Sequence, residues 1–270
     1  MPVYTTMSLL ITIGVILCIA LLWFWRRNST PKQVEKIAGA WHTILNERVA
    51  YYQKLDEENK TKFEKRIHEF LRYVRIEGVE TEVTDVDRVL IAASVVVPIF
   101  GFPDWKYQNL TNVILYPDTF DEGFQFEGEN RNILGMVGSG YMNGQMLLSR
   151  TALIEGFSKS AGTGNAAIHE FVHLLDKSDG DTDGVPRNFI DRTYALPWLK
   201  MIHKEMQRIG AGKSDINPYG LTNEAEFLAV AAEYFFEKPG QLKHKHPELY
   251  AALSGIFAQN PAITTTFEIG

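Results

Sequence analysis

Cysteine is almost missing from the 270 residues: Cys18 stands alone. A lone thiol excludes an intrachain disulfide framework and any cysteine-based metal cluster. Long basic runs are missing too, and the formal net charge is −6. Nucleic acids are held by clustered lysine and arginine, so they are not expected partners. There is no internal repeat and no low-complexity tract, which excludes repeat arrays. With 45% hydrophobic residues, the chain has enough apolar material to bury a core in one or two domains.

Charge is absent from one long stretch, MSLLITIGVILCIALLWFW, the nineteen residues from Met7 to Trp25. About 20 such residues span a hydrocarbon core as a helix. Trp23 and Trp25 mark an interface, and Arg26, Arg27 and Lys32 follow. The stretch lacks the basic start and small-residue cleavage pattern of a signal peptide, so it predicts a retained anchor. The positive-inside rule then predicts a single-pass inner-membrane protein with its bulk on the cytoplasmic side. The expected organisation is an anchor over residues 1–27, a polar linker over 28–35 and one folded domain over 36–270.

The chain after the linker alternates in texture. A helical stretch begins near Ala38, and a stronger one follows Asp56, with Phe63, Ile67, Phe70, Leu71 and Val74 at helical spacing. Thr84 and Asp87 stand in capping-box spacing before an apolar run of about fourteen residues that contains Pro98, which reads as a buried core helix. NVILYP (112–117) predicts a strand, and Asn143-Gly144 predicts a hairpin between two more. Beyond Thr151 nearly everything reads as helix: one through residues 167–176, others near 194–209 and 223–237, and a last one after Pro247. The fold class is therefore α+β, with a small sheet flanked by helices.

Within AIHEFVHLLDKSDG (167–180), His169 and His173 lie four positions apart with Glu170 between them. On a helix both imidazoles share one face and can bind one zinc ion, leaving the glutamate near the water on that ion. Such a glutamate accepts the water's proton and passes it to a leaving amine. Ile168, Phe171, Val172, Leu174 and Leu175 make the helix strongly apolar, so polar groups there need a partner. Asp176 shares the histidine face and reads equally well as a carboxylate supporting an imidazole or as a helix-end acid.

A third ligand is required. His42, His68, His203, His244 and His246 show no spacing that points at the site. NEAEFLAVAAEYFFEK offers Glu224, Glu226, Glu233 and Glu237. Glu226 and Glu233 are seven apart on one face, so one can bind and the other support, and periodicity does not choose. Asp176, Asp179 and Asp191 are alternative carboxylate ligands. DGDTDG (179–184) opens like a calcium loop, but Ile190 stands where a bidentate glutamate belongs, so a solvated acidic loop is expected. SAGTGNAA before the motif reads as a helix entry.

HEFVHLLD with its acidic loop and GVP (184–186), followed by YGLTNEAEFLAVAAEYFF (219–236), resembles the zinc peptidases of the Mlc titration factor A family. These are glutamate-zincins with some similarity to the catalytic domain of anthrax lethal factor. The resemblance covers roughly residues 36–260. It implies a zincin-like domain with a small mixed sheet, Zn2+ held by His169, His173 and Glu226, and Glu170 as general base. Tyr219 would match the catalytic tyrosine, a phenolic donor to the oxyanion, and Glu233 would support the ligands. It further implies aminopeptidase-like or general peptidase activity on peptide or protein substrates, and a connection to a sugar-responsive transcriptional repressor. An extended peptide is expected along the exposed hairpin strand near Met136 to Tyr141. The rival expectation is a membrane-tethered binding protein with a structural metal.

Overall fold

In a computed structural model of the chain, the structure describes residues 31–263 apart from 129–130, 139–141, 159–161 and 163, with the backbone course alone for 31–38. The chain divides into two compact units, Met1–Thr43 and Ile44–Gly270. The first described helix is α1 (Pro31–Arg48), and the elements after it lie in the second unit.

In that unit α2 (Ala50–Gln53) and α3 (Glu57–Tyr73) precede the short strand β1 (Arg75–Gly78). Asp56 caps α3 by accepting from the Asn59 N–H at 2.8 Å. α4 (Asp85–Ile99) opens with a full capping box, Thr84 and Asp87 each accepting a backbone N–H of the other. Nearly all of α4 is buried. Carbonyls of its last turn take further hydrogen bonds from outside: Gln259 Nε2 donates to Val97 O at 2.9 Å, and Arg66 donates to Ile99 O at 2.6 Å.

β2 (Asn112–Tyr116), β3 (Gly135–Val137) and β4 (Gln145–Ser149) complete a four-stranded sheet in the order β1-β2-β4-β3. β1, β2 and β4 run parallel, with Ile76 opposite Val113 and Leu115 opposite Leu148. β3 pairs antiparallel with β4, Met136 opposite Leu147, so it forms one edge. The expected hairpin exists, but its connection spans residues 138–144 rather than the Asn143-Gly144 pair alone. β1 escaped sequence reasoning because RIEG is short and charged, with only Ile76 buried.

α5 (Arg150–Gly156) leads from the sheet to α6 (Ala166–Asp176), the helix that carries both histidines. α7 (Arg192–Gly210), a 3-10 turn (Pro218–Leu221), α8 (Glu224–Glu237), α9 (Pro239–Lys245) and α10 (Pro247–Phe257) follow. α6 packs against α8, α4 and the edge strand β3. The result is an α+β domain with a small mixed sheet and helices around it.

The expected single-pass placement in the inner membrane is corrected here. Among the described residues, no helix is long and apolar enough to cross a membrane. α4 has 15 residues, a rise of about 22 Å against the ~30 Å of a hydrocarbon core. The longer α7 carries Arg192, Lys200, Lys204, Glu205 and Arg208 along its length. Met7 to Trp25, the stretch that prompted the expectation, lies outside the described residues.

Candidate metal centre

α6 begins at Asn165, which is buried and caps it: Asn165 Oδ1 accepts from the Ile168 N–H at 3.2 Å. One turn on, His169 and His173 project from the same face, their ring centroids 4.7 Å apart. α8 begins at Asn223, whose Oδ1 accepts the Glu226 N–H at 2.9 Å and so fixes the first turn of that helix. The packing of α6 on α8 then brings three lone-pair atoms together. His169 Nε2 lies 2.9 Å from Glu226 Oε2, His173 Nε2 lies 3.4 Å from the same oxygen, and the two Nε2 atoms are 3.1 Å apart. A single proton can satisfy only one pair of such a triangle, whereas a divalent cation takes a lone pair from each member. His169, His173 and Glu226 therefore fit a metal ion.

The surroundings carry the marks of a metal site. His169 Nδ1 faces Glu233 Oε1 at 2.7 Å, the carboxylate–imidazole arrangement that fixes a ligating ring and raises its basicity. Glu233 Oε2 also takes the backbone N–H of Asn165, which ties α8 to the start of α6. Burial alone disfavours a charged His169, but its hydrogen bonds to Glu226 and Glu233 outweigh that and push the ring up to about 10, so a cation must displace the Nε2 proton to take that lone pair. Burial also works against an ionised Glu226, and the two imidazoles reverse it, holding that carboxylate at about 2. His173 Nδ1 is buried with no partner.

A cavity of about 900 Å³ opens beside these groups, lined among others by Leu134, Gly135, Glu170, Tyr219 and Glu233. Burial pushes the Glu170 carboxyl up, and Glu226 and Glu233 add to it while the imidazoles oppose it. Tyr219 sits on the 3-10 turn, 54% exposed, with its ring centroid 6.0 Å from that of His169. Burial of its hydroxyl, then the charges of Glu226 and Glu170, push the phenol up, so it stays a proton donor at neutral pH.

The remaining candidate carboxylates are engaged elsewhere. Asp176 is buried and its Oδ2 accepts the Gly184 N–H at 2.8 Å, while Oδ1 has no partner. Burial raises Asp176 to about 6. Asp191 caps α7. Asp179 and Asp183 of the acidic loop close on Arg187, Asp183 Oδ2 accepting from its guanidinium at 2.6 Å and Asp179 Oδ2 from its backbone N–H at 2.7 Å. Glu224 pairs with His203 at 2.9 Å on the surface. His246 lies between Glu205 and Asp215, away from the triad. Sequence reasoning missed Gly135 and Gly184. A Cβ on Gly135 would stand 2.6 Å from Glu170 Cγ, and Gly184 (φ +76°) lies against the Glu224 backbone.

Residues 22–258 match the family described as glucose-regulated metallo-peptidase M90. The chain is 30% identical over 236 residues to the uncharacterized protein slr2042 of Synechocystis sp., covering 83% of this chain and 85% of the relative. It is 26% identical over 254 residues to Mlc titration factor A of Pectobacterium atrosepticum, covering 88% and 92%. Against Mlc titration factor A of Escherichia coli the identity is 25% over 255 residues, again covering 88% and 92%. Alongside a triad fit to hold a metal, these matches place the chain in the glucose-regulated metallo-peptidase M90 family, together with the Mlc titration factor A proteins.

Proposed function

We propose that the chain is a zinc-dependent peptidase, with His169, His173 and Glu226 holding the ion and Glu170 as general base. The observation that carries this reading is the convergence of the three ligand atoms of His169, His173 and Glu226, with His169 and Glu170 both lining the adjoining cavity. Two imidazoles and one carboxylate from two helices are a catalytic zinc ligand set, three protein ligands leaving one position for water. A bound zinc ion supplies Lewis acidity toward water and the scissile carbonyl.

The side chains do the rest. Glu170 lines the cavity beside His169 and takes a proton from water and hands it to the leaving amine. Tyr219 keeps its phenolic proton and offers it to the oxyanion. Glu233 holds His169 by its second nitrogen, and Asp176, one turn beyond His173, supports the far end of the motif helix. Among the described residues β3 leaves one edge unpaired, which suits an extended peptide bound through its backbone. Residues 139–141 of the expected peptide edge lie outside the described residues.

The test is Glu170→Gln. Zinc content stays at one ion per chain while chelator-sensitive cleavage of a fluorogenic peptide panel falls at least a hundredfold, the usual weight of a general base. Turnover at the unaltered rate in that variant refutes the mechanism. A second reading rests on the relatives' printed name, Mlc titration factor A: the domain binds a protein partner such as a transcriptional repressor, with the ion structural. Under that reading Glu170→Gln leaves partner binding intact and no peptide is cut by either form.

A further inference from the structure

β3 pairs its Gly135 with Leu148 and its Met136 with Leu147. Side chains alternate along a strand, so successive residues look to opposite faces of the sheet. Met136 packs into the cluster of Tyr116, Phe120 and Leu147. Gly135 therefore presents its α-carbon to the other face, where α6 packs. A Cβ built on Gly135 meets Glu170 Cγ at 2.6 Å, Leu148 Cδ2 at 3.1 Å and Glu170 Cδ at 3.3 Å. The first distance is below anything a real methyl tolerates, and the atom it strikes is the second methylene of the side chain, inside the carboxylate tip.

Glu170 is bounded elsewhere as well. It is largely buried, it follows His169 directly in the chain, and His169 is fixed at both ring nitrogens by Glu233 and Glu226. Strand β3 is a second wall, and it is held by pairing to β4, with a further hydrogen bond from the Ser149 N–H to Leu134 O at 2.9 Å, while the cavity lies open beside the carboxylate. Neither wall yields cheaply, so an added methyl moves the glutamate.

We infer that Gly135 is a positioning residue for Glu170: the bare α-carbon of the edge strand sets the rotamer in which the carboxylate reaches the cavity beside the triad. The inference rests on the reading of Glu170 as general base for its catalytic consequence, but not for its structural one. One glycine thus couples the strand offered to a peptide with the group that activates water, and the two sides of the cleft keep a fixed spacing. Such couplings matter because an error of about 1 Å in a reacting group can cost a hundredfold in rate.

The experiment is a double-mutant cycle on the zinc-loaded protein with Gly135→Ala and Glu170→Ala. Gly135→Ala alone lowers kcat at least tenfold, leaves zinc stoichiometry unchanged and shifts the acidic limb of the pH–rate profile, because the displaced carboxylate sits in a new environment. It also lowers the urea midpoint, and that loss shrinks to a minor fraction once Glu170→Ala has emptied the space. Equal losses of midpoint with and without Glu170 overturn the inference, as does full kcat with an unmoved pH profile in soluble, zinc-loaded Gly135→Ala. If Glu170→Gln keeps its turnover while the midpoints remain coupled, the peptidase mechanism falls and the steric role of Gly135 stands.

Discussion

Four glutamates share α8 and each has a different task. Glu224 faces His203 at the surface, Glu226 meets both imidazoles, Glu233 holds His169 from behind, and Glu237 accepts from Asn165 Nδ2 at 3.0 Å. Helical periodicity puts 226 and 233 on one face and goes no further, because the choice depends on where α6 crosses α8. That crossing is a tertiary fact, and only the resemblance of the whole NEAEF stretch singled out Glu226 in advance. The HExxH spacing, by contrast, is local and was legible at once. Glu237 carries a prediction of its own. Burial raises its carboxyl to about 7, with Glu233 adding to the effect and Asn165 opposing it. A raised acid binds its proton more tightly folded than unfolded, so this group contributes most below pH 4.5 and the contribution is lost as pH rises toward 7. Glu237→Gln keeps the acceptor for Asn165 and removes the loss. The variant is expected to be more stable than the parent at pH 8, by at most about 3 kcal/mol, and indistinguishable from it at pH 4. Urea midpoints at the two pH values check this, and a parent that gains stability from pH 5 to 8 through this group contradicts it.

At the scale of elements, the caps were the most readable features. Asp56, Thr84 with Asp87, and the run before α6 all announce helix starts through side chains that satisfy backbone N–H groups a few residues on, an interaction contained within the sequence window. The sheet was read less well. β2 is clear from NVILY, and β3 and β4 from the Asn-Gly hairpin signal, whereas β1 is four residues long with charged neighbours, too short to establish alternation. The split of the C-terminal region into α9 and α10, each starting on a proline, was also missed in part. Asn165 joins the elements around the site: it caps α6, donates to Gly156 O at 3.2 Å and to Glu237, and its own N–H goes to Glu233. Asn165→Ala is expected to cost about 1–3 kcal/mol, a lost cap plus unpaired groups in a buried place. It should also weaken zinc binding, since the uncapped start of α6 carries the backbone N–H that holds Glu233. Chemical denaturation and a competitive zinc chelator measure the two effects. Loss of stability with unaltered zinc affinity removes Asn165 from the support of the ligands.

For the whole molecule, the triad joins helices whose ligands are 57 residues apart in sequence, His169 to Glu226. An ion held there binds the folded chain and not the unfolded one, so stability rises with free zinc as RT ln(1 + [L]/Kd), about 2.7 kcal/mol at a hundredfold excess over Kd. Thermal scans with buffered zinc and with a chelator are expected to show that dependence, and His173→Ala to flatten it. A midpoint indifferent to zinc counts against the site.

Gly184 shows how finely that arrangement is bounded. Its backbone lies so near the start of α8 that a methyl group would sit 2.3 Å from Glu224 O, while its N–H answers Asp176 at the close of the motif helix and its carbonyl receives Trp198 Nε1 at 2.7 Å. The seam between the helices that carry the triad is therefore zipped at a residue outside it. Enlarging that residue by one carbon would part Glu226 from the imidazoles while leaving all three side chains intact.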